Sequence, residues 1–150
     1  MYGDELKWII VAPLTRAEKG FIERVKHVHR KFLAMCETES IEPGAGSYVL
    51  SEKGNVFHGV PFDVARCIHG EENAIGTMVT EEGFNAKLKI ILIIGSPKDI
   101  IMPCGMCREA INRYGVRNAT VLCANLSLTR IEKFHIPDLY PRPYDYALWE

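Results

Sequence analysis

Leu88-Lys89-Ile90-Ile91-Leu92-Ile93-Ile94 is the stretch on which the fold turns. It is a short, nearly continuous apolar run rich in isoleucine, the pattern of a central strand covered on both faces. The segments on either side read as helices. From His69 to Glu82, the residues Ala74, Ile75, Met78 and Val79 share one face, and Gly83 stands where such a helix would end. Beyond the strand, Pro103 precedes a helix predicted to turn Cys107, Ala110, Ile111 and Tyr114 inward and to stop at Gly115.

Further out, Phe21, Val25, Val28, Phe32 and Met35 recur at helical spacing between Arg16 and Cys36. Thr15 is predicted to cap this helix, with Glu18 three residues on completing a capping box. His27 and His29 fall on it and are expected to be surface or boundary side chains. A Pro/Gly loop over Ile41–Gly46 leads to Ser47–Leu50 and Asn55–His58, joined by Ser51-Glu52-Lys53-Gly54 in the manner of a β-hairpin. Thr120–Ala124 is a second buried strand. Helix, hairpin, helix, strand, helix, strand is the order of an α/β domain with helices packed on a mixed sheet. The end, Pro137–Glu150, carries Tyr140, Tyr144, Tyr146 and Trp149 and is expected to dock on the body of the protein and wall a pocket.

The 150 residues fit one domain, 1–150, with 1–15 as an N-terminal extension and 137–150 as a C-terminal segment. A net charge of −1 and the lack of a basic run oppose a polynucleotide or an anionic membrane as partner and favour a small-molecule substrate. The apolar runs Trp8–Pro13 and Ile90–Ile94 fall well short of the roughly 20 residues that span a bilayer. Met1–Glu5 is acidic where an export signal is basic, which makes the cytoplasm the expected compartment. Five cysteines, an odd number, argue against a disulfide framework. Cys36, Cys67 and Cys123 are expected to be buried, reduced thiols.

Two motifs carry chemistry. His69-Gly70-Glu71 and Pro103-Cys104-Gly105-Met106-Cys107 together offer one imidazole, two thiols and a spare carboxylate. His-x-Glu followed by Pro-Cys-x-x-Cys is the general signature of zinc-dependent deaminases. A catalytic zinc takes three protein ligands and keeps a fourth position open, and His69, Cys104 and Cys107 supply three. Glu71 is left to shuttle protons. Both motifs fall at predicted helix starts, where free N–H groups and the macrodipole favour thiolates.

Gly59-Val60, then His69-Gly70-Glu71-Glu72-Asn73-Ala74, then Pro103-Cys104-Gly105-Met106-Cys107-Arg108-Glu109 resemble the cytidine deaminase superfamily. The hairpin and the Cys-Gly-x-Cys-Arg form are similar to its cytidine and blasticidin S deaminase-like branch. The resemblance implies a three-layer fold: a mixed, about five-stranded sheet with helices on both faces. It also implies Zn2+ as cofactor, hydrolytic deamination of a cytosine-like ring in a nucleoside or analogue, and a homo-oligomer, often a homotetramer. Members with cysteine as first ligand follow the glutamate with an arginine; this chain has His69 and Glu72, consistent with a two-thiolate site. Where the family holds ribose with Asn-x-Glu, this chain has Pro61-Phe62-Asp63. Asp63 retains an acceptor and Pro61 does not replace the asparagine. Gly70, through its N–H, and Phe62 and Asp63 are the candidate substrate contacts. The string Glu72-Asn73-Ala74 imitates the ribose motif by coincidence.

Other readings stand beside this one. Cys104-Gly105-Met106-Cys107 also resembles a thioredoxin-type dithiol, which leaves His69 and Glu71 without a role. A structural zinc would close with a fourth ligand, for which Cys67 is available. A member of the fold that binds ligand without turnover is the remaining alternative.

Overall fold

The computed structural model describes residues 9–10, 12–40 and 45–149. Met1–Glu5 and residues 41–44 of the Pro/Gly loop lie outside the described residues. In chain order the elements are β1 (Ile9–Ile10), α1 (Arg16–Thr38), β2 (Gly46–Ser51), β3 (Val56–Gly59), β4 (Phe62–Asp63), β5 (Cys67–Ile68) and α2 (Gly70–Glu82). They continue as β6 (Leu88–Ile94), α3 (Gly105–Tyr114), β7 (Gly115–Ala124), β8 (Arg130–His135), α4 (Ile136–Leu139) and a 3-10 turn over Tyr146–Trp149.

β6 is the spine, as its sequence predicts. Its parallel neighbour is β7, reached through α3, and its antiparallel neighbour is β2. The main sheet has the order β1-β8-β7-β6-β2-β3, which is a mixed five-stranded sheet extended at one edge by the two residues of β1. Both faces of β6 are covered. Ile91 and Ile93 join Val49, Val121 and Cys123 under α2, α3 and α4, while Ile90, Leu92 and Ile94 join Tyr48, Leu50 and Leu122 against α1. Lys89 is exposed at an irregularity in the β6–β7 register between Leu88 and Ile90.

α1 begins at its predicted cap: Thr15 Oγ1 accepts the Glu18 N–H at 3.2 Å, and a Glu18 carboxylate oxygen accepts the Thr15 N–H at 2.8 Å. Its inward stripe differs from the predicted one at the end. Met35 is 50% exposed and Cys36 is buried. At about 100° per residue, position 36 returns to within about 20° of Val25 while position 35 lies about 80° away, so the 3.6-residue period selects the cysteine. His29 is also buried, contrary to the expectation of a surface or boundary side chain. Its Nε2–H donates to the Leu126 carbonyl at 2.9 Å, which makes Nδ1 the acceptor for the Tyr48 hydroxyl at 3.2 Å.

β8 had no counterpart in the predicted elements. It carries Ile131 toward α1 and Phe134 toward the opposite layer, one apolar side chain per face. The rest of its sequence is charged, yet satisfied: Lys133 Nζ lies 2.9 Å from the Glu18 carboxylate, and Arg130 meets Glu132 at 2.6 Å. Burial alone would raise the Glu18 pKa, but hydrogen bonds from Lys133 and Thr15 outweigh it and hold the carboxyl below its ordinary value.

Beside His29, His58 stacks on Tyr48 with ring centroids 4.2 Å apart and planes within 4°, and Phe32 meets it edge-on. Burial, and then the neighbouring His29, push the His58 imidazole down to about 4. The fold therefore favours neutral His58, whereas in the unfolded chain a histidine protonates near 6.5. Between those values the unfolded state binds the extra proton. Stability should be flat above pH 6.5 and fall by up to about 3 kcal/mol as the pH drops toward 4. Urea midpoints between pH 7 and 5 should fall for the wild type and stay flatter for His58→Phe. Equal slopes would remove His58 as the cause.

Candidate active site

The end of β3 lies against the start of α2, and a glycine permits it. A Cβ on Gly59 would stand 2.3 Å from both the Ala74 nitrogen and the Gly70 carbonyl oxygen, so a larger residue would push the helix off the sheet. Asn73 Nδ2 donates to the Val60 carbonyl at 3.0 Å, pinning the chain as it leaves β3. Asn73, which imitated a ribose contact in the sequence, is thus a structural tie.

His69 occupies the N-cap of α2 and Cys104 the N-cap of α3, both with extended backbones. The two helix starts face each other at one end of the sheet. His69 Nδ1 lies 3.3 Å from the Cys107 sulfur and 3.3 Å from the Cys104 sulfur, and the three ligand atoms fall within 4.8 Å of one another. For Zn–S near 2.3 Å and Zn–N near 2.0–2.1 Å, a tetrahedral ion requires a sulfur–nitrogen edge of about 3.6 Å. Two soft sulfurs and one imidazole at these separations therefore fit a three-ligand zinc. Cys67 lies on β5, exposed and outside the triad, which corrects the expectation of a buried thiol. Cys36 and Cys123 are buried as expected.

Arg108, one residue past Cys107, holds the approach to α3. Its Nε donates to the Pro103 carbonyl and its Nη1 to the Leu139 carbonyl, each at 2.8 Å, so α4 is tied to the residue just before Cys104. Cys107 is fully buried. Burial first, and then the charge of Glu71, push its thiol well up. Ligation must therefore displace the proton from this sulfur. Burial and Glu71 also raise Cys123, pushed up to about 12.

Glu71 sits in the first turn of α2 with only 8% of its surface exposed. Among the described residues no cation pairs with its carboxylate. Glu72, next in the chain, points elsewhere: it accepts the His69 N–H at 2.9 Å and pairs with Arg66 at 2.9 Å. Two adjacent glutamates in one motif are thus separated by helical geometry into a buried carboxylate and a capping one.

The predicted substrate contacts are placed less closely. Gly70 is buried at the start of α2, beside Gly59. Phe62 and Asp63 are exposed on β4, and Phe62 lines a groove of about 400 Å³ along the flank of α2 with Ile68, Asn73 and Thr77. None of the three candidate metal ligands, His69, Cys104 and Cys107, lines that groove. The C-terminal segment does wall a groove, of about 800 Å³, where Pro143, Tyr144 and Asp145 meet Phe84 and Tyr114. It lies at the C-terminal ends of α2 and α3, roughly 15 Å of helix from the triad. The side chains of Tyr146 and Trp149 lie outside the described part of the structure.

Sequence reasoning did not single out Arg66 or Arg108, whose guanidiniums bond the segments next to His69 and Cys104. Arg108 was visible only as part of a motif, and Arg66 meets Glu72 only once the chain folds back.

A family model described as the cytidine and deoxycytidylate deaminase zinc-binding region matches residues 22–123. The fold is similar to cytidine deaminase from Burkholderia pseudomallei, with TM-score 0.61 at 23% identity, covering 67% of this chain and 80% of that one. A single-substitution variant of cytidine deaminase from Mycobacterium tuberculosis aligns at TM-score 0.54 and 18% identity over 69% and 78% of the two chains. Cytidine deaminase from Mycobacterium leprae aligns at 0.53 and 19% over 65% and 78%. No helix among the described residues is long and apolar enough to cross a membrane. With more than half of its length matched and a zinc-compatible triad at the paired helix starts, the chain belongs to the cytidine and deoxycytidylate deaminase zinc-binding family and is a zinc-dependent deaminase.

Proposed function

We propose that this protein hydrolytically deaminates a cytosine-like ring in a small molecule, a nucleoside or an analogue such as blasticidin S, releasing ammonia. The observation that carries the reading is the meeting of His69, Cys104 and Cys107 beside buried Glu71 on the helix that His69 caps. In this reading His69 Nδ1 and the two sulfurs would hold a zinc ion, whose Lewis acidity would make a water in the site ionise near neutrality, from about 15.7 in bulk toward 7. Glu71 accepts the proton of the attacking water and gives it to the ring nitrogen. It then carries the remaining proton of the added hydroxyl to the amino group, so that the carbon–nitrogen bond breaks, the ring carbon keeps the oxygen as a carbonyl and ammonia leaves. The Gly70 N–H orients the ring, and Phe62 and Asp63 contact what the ring carries.

The proposed assembly is a homo-oligomer, a tetramer or a dimer. Cys104 is exposed, and so are the apolar side chains of Ile101, Met102 and Met106 around it, a rim that a second copy would cover. A near-neutral charge balance supports a small molecule over a polynucleotide.

An ammonia-release screen over cytosine, cytidine, deoxycytidine, their monophosphates and blasticidin S, with zinc quantified on the same sample, tests the reading. Turnover of a nucleoside or blasticidin S is the expected result. Silence across the panel with zinc bound would sink it.

A further inference from the structure

Arg66 takes no part in the chemistry above, yet its guanidinium is built into the approach to the metal ligand. It follows the β4 strand at the turn into β5. Nη2 donates to Glu72 Oε1 at 2.9 Å, and Nη1 donates to Glu72 Oε2 at 3.2 Å and to the Cys67 carbonyl at 3.1 Å. The same Oε2 accepts the backbone N–H of His69 at 2.9 Å. Guanidinium, carboxylate, carbonyl and amide thus close a ring around Cys67–His69, the short connection between the hairpin and α2.

The position matters because His69 does two things. It caps α2, at φ −77° and ψ 155°, and its Nδ1 stands 3.3 Å from both thiols. An imidazole is aimed by its backbone, and a ligand set tolerates only about 0.5 Å or 10–20° of misplacement. A carboxylate holding one amide is free to rotate. A planar fork that engages both oxygens fixes the plane of the carboxylate as well. Glu72 is 18% exposed against 51% for Arg66, so the pair is partly sheltered on the side that faces the helix.

We propose that Arg66 is a positioning residue: by locking the Glu72 carboxylate onto the His69 amide it holds the β4–β5 hairpin and the His69 imidazole as one unit. The inference rests on the reading of His69, Cys104 and Cys107 as the zinc site. It gives Glu72 a purpose beyond capping and explains why a second acidic residue sits beside a thiolate site without leaving a bare charge.

The test uses the full chain with Arg66→Ala, Glu72→Gln, the double variant and Arg66→Lys. In metal-free protein, hydrogen exchange of the amides over residues 62–69 should speed up about tenfold in Arg66→Ala, while β6 keeps its protection. Zinc affinity, read by competition with a chromophoric chelator, should drop on the order of tenfold, the usual cost of losing a group that orients a ligand. The thiolate charge-transfer bands of the cobalt(II) form should shift in parallel. The double variant should lose no more than the worse single one. Arg66→Lys keeps the charge without the fork and should recover less than half of the lost affinity. Wild-type exchange and affinity in Arg66→Ala, additive losses in the double, or full recovery with lysine would each overturn the proposal. Metal binding needs no substrate, so a chain that binds zinc but releases no ammonia sinks the deaminase reading and leaves this one standing.

Discussion

Glu71→Ala is expected to keep its zinc and its fold while ammonia release falls by roughly 10³-fold or more, the upper part of the range for a lost general acid–base group. The side chain is buried in the first turn of α2, and among the described residues no cation pairs with it, so its removal breaks no ion pair of the scaffold. Removing it takes away the group proposed to move protons between water, ring nitrogen and leaving amine. Glu71→Gln, which preserves volume and one acceptor, should be impaired to a similar degree, because an amide does not carry the proton. Ammonia release on a substrate found in the screen, with zinc measured on the same samples, checks both. Full activity in either variant would end the role assigned to Glu71.

Cys107→Ser is expected to lose both the metal and the activity. This sulfur is fully buried, 3.3 Å from His69 Nδ1, and a hydroxyl is a poor ligand for zinc beside one remaining thiol. The thermal signature follows by mass action. An ion bound at 1,000 times its dissociation constant stabilises the native state by about 4 kcal/mol. In a chain of this length that corresponds to a melting shift on the order of 10 °C when a chelator removes the ion. The wild type should show that shift, and Cys107→Ser should melt at the same temperature with or without chelator. Equal zinc content and an equal chelator response in the two proteins would mean that the metal sits elsewhere. Because burial and Glu71 hold the Cys107 proton on, zinc uptake by the wild type should release protons and weaken as the pH falls.

The elements that the sequence specified well are those whose pattern has a single physical reading. Leu88–Ile94 has no polar alternation, so it had to be covered on both sides, and it is. Thr15 and Glu18 form a reciprocal cap that needs nothing beyond four consecutive residues. Gly54 and Gly83 take the positive φ angles that end the hairpin turn and α2. β8 was illegible because its two apolar residues face opposite layers and its charges are satisfied by partners such as Glu18, which lies 115 residues from Lys133. β4 and β5 are two residues each, too short for any period to show. His29 read as a surface or boundary residue because the Tyr48 hydroxyl and Leu126 carbonyl that accommodate it come from distant strands and loops.

Residue identity and spacing alone determined the ligand chemistry: one imidazole, two thiols and a free carboxylate, each near a helix start. Those are local facts, fixed by side-chain chemistry and by helix caps that span a few residues. Only the tertiary structure brought Nδ1 of His69 to 3.3 Å from both sulfurs, because the two helices meet through the register of β2, β3, β6 and β7 beneath them. It also divided Glu71 from Glu72, burying one and turning the other to the His69 amide and Arg66. It also raised the Cys107 thiol, since desolvation depends on every neighbour that covers the sulfur and not on the nearest turn of helix alone.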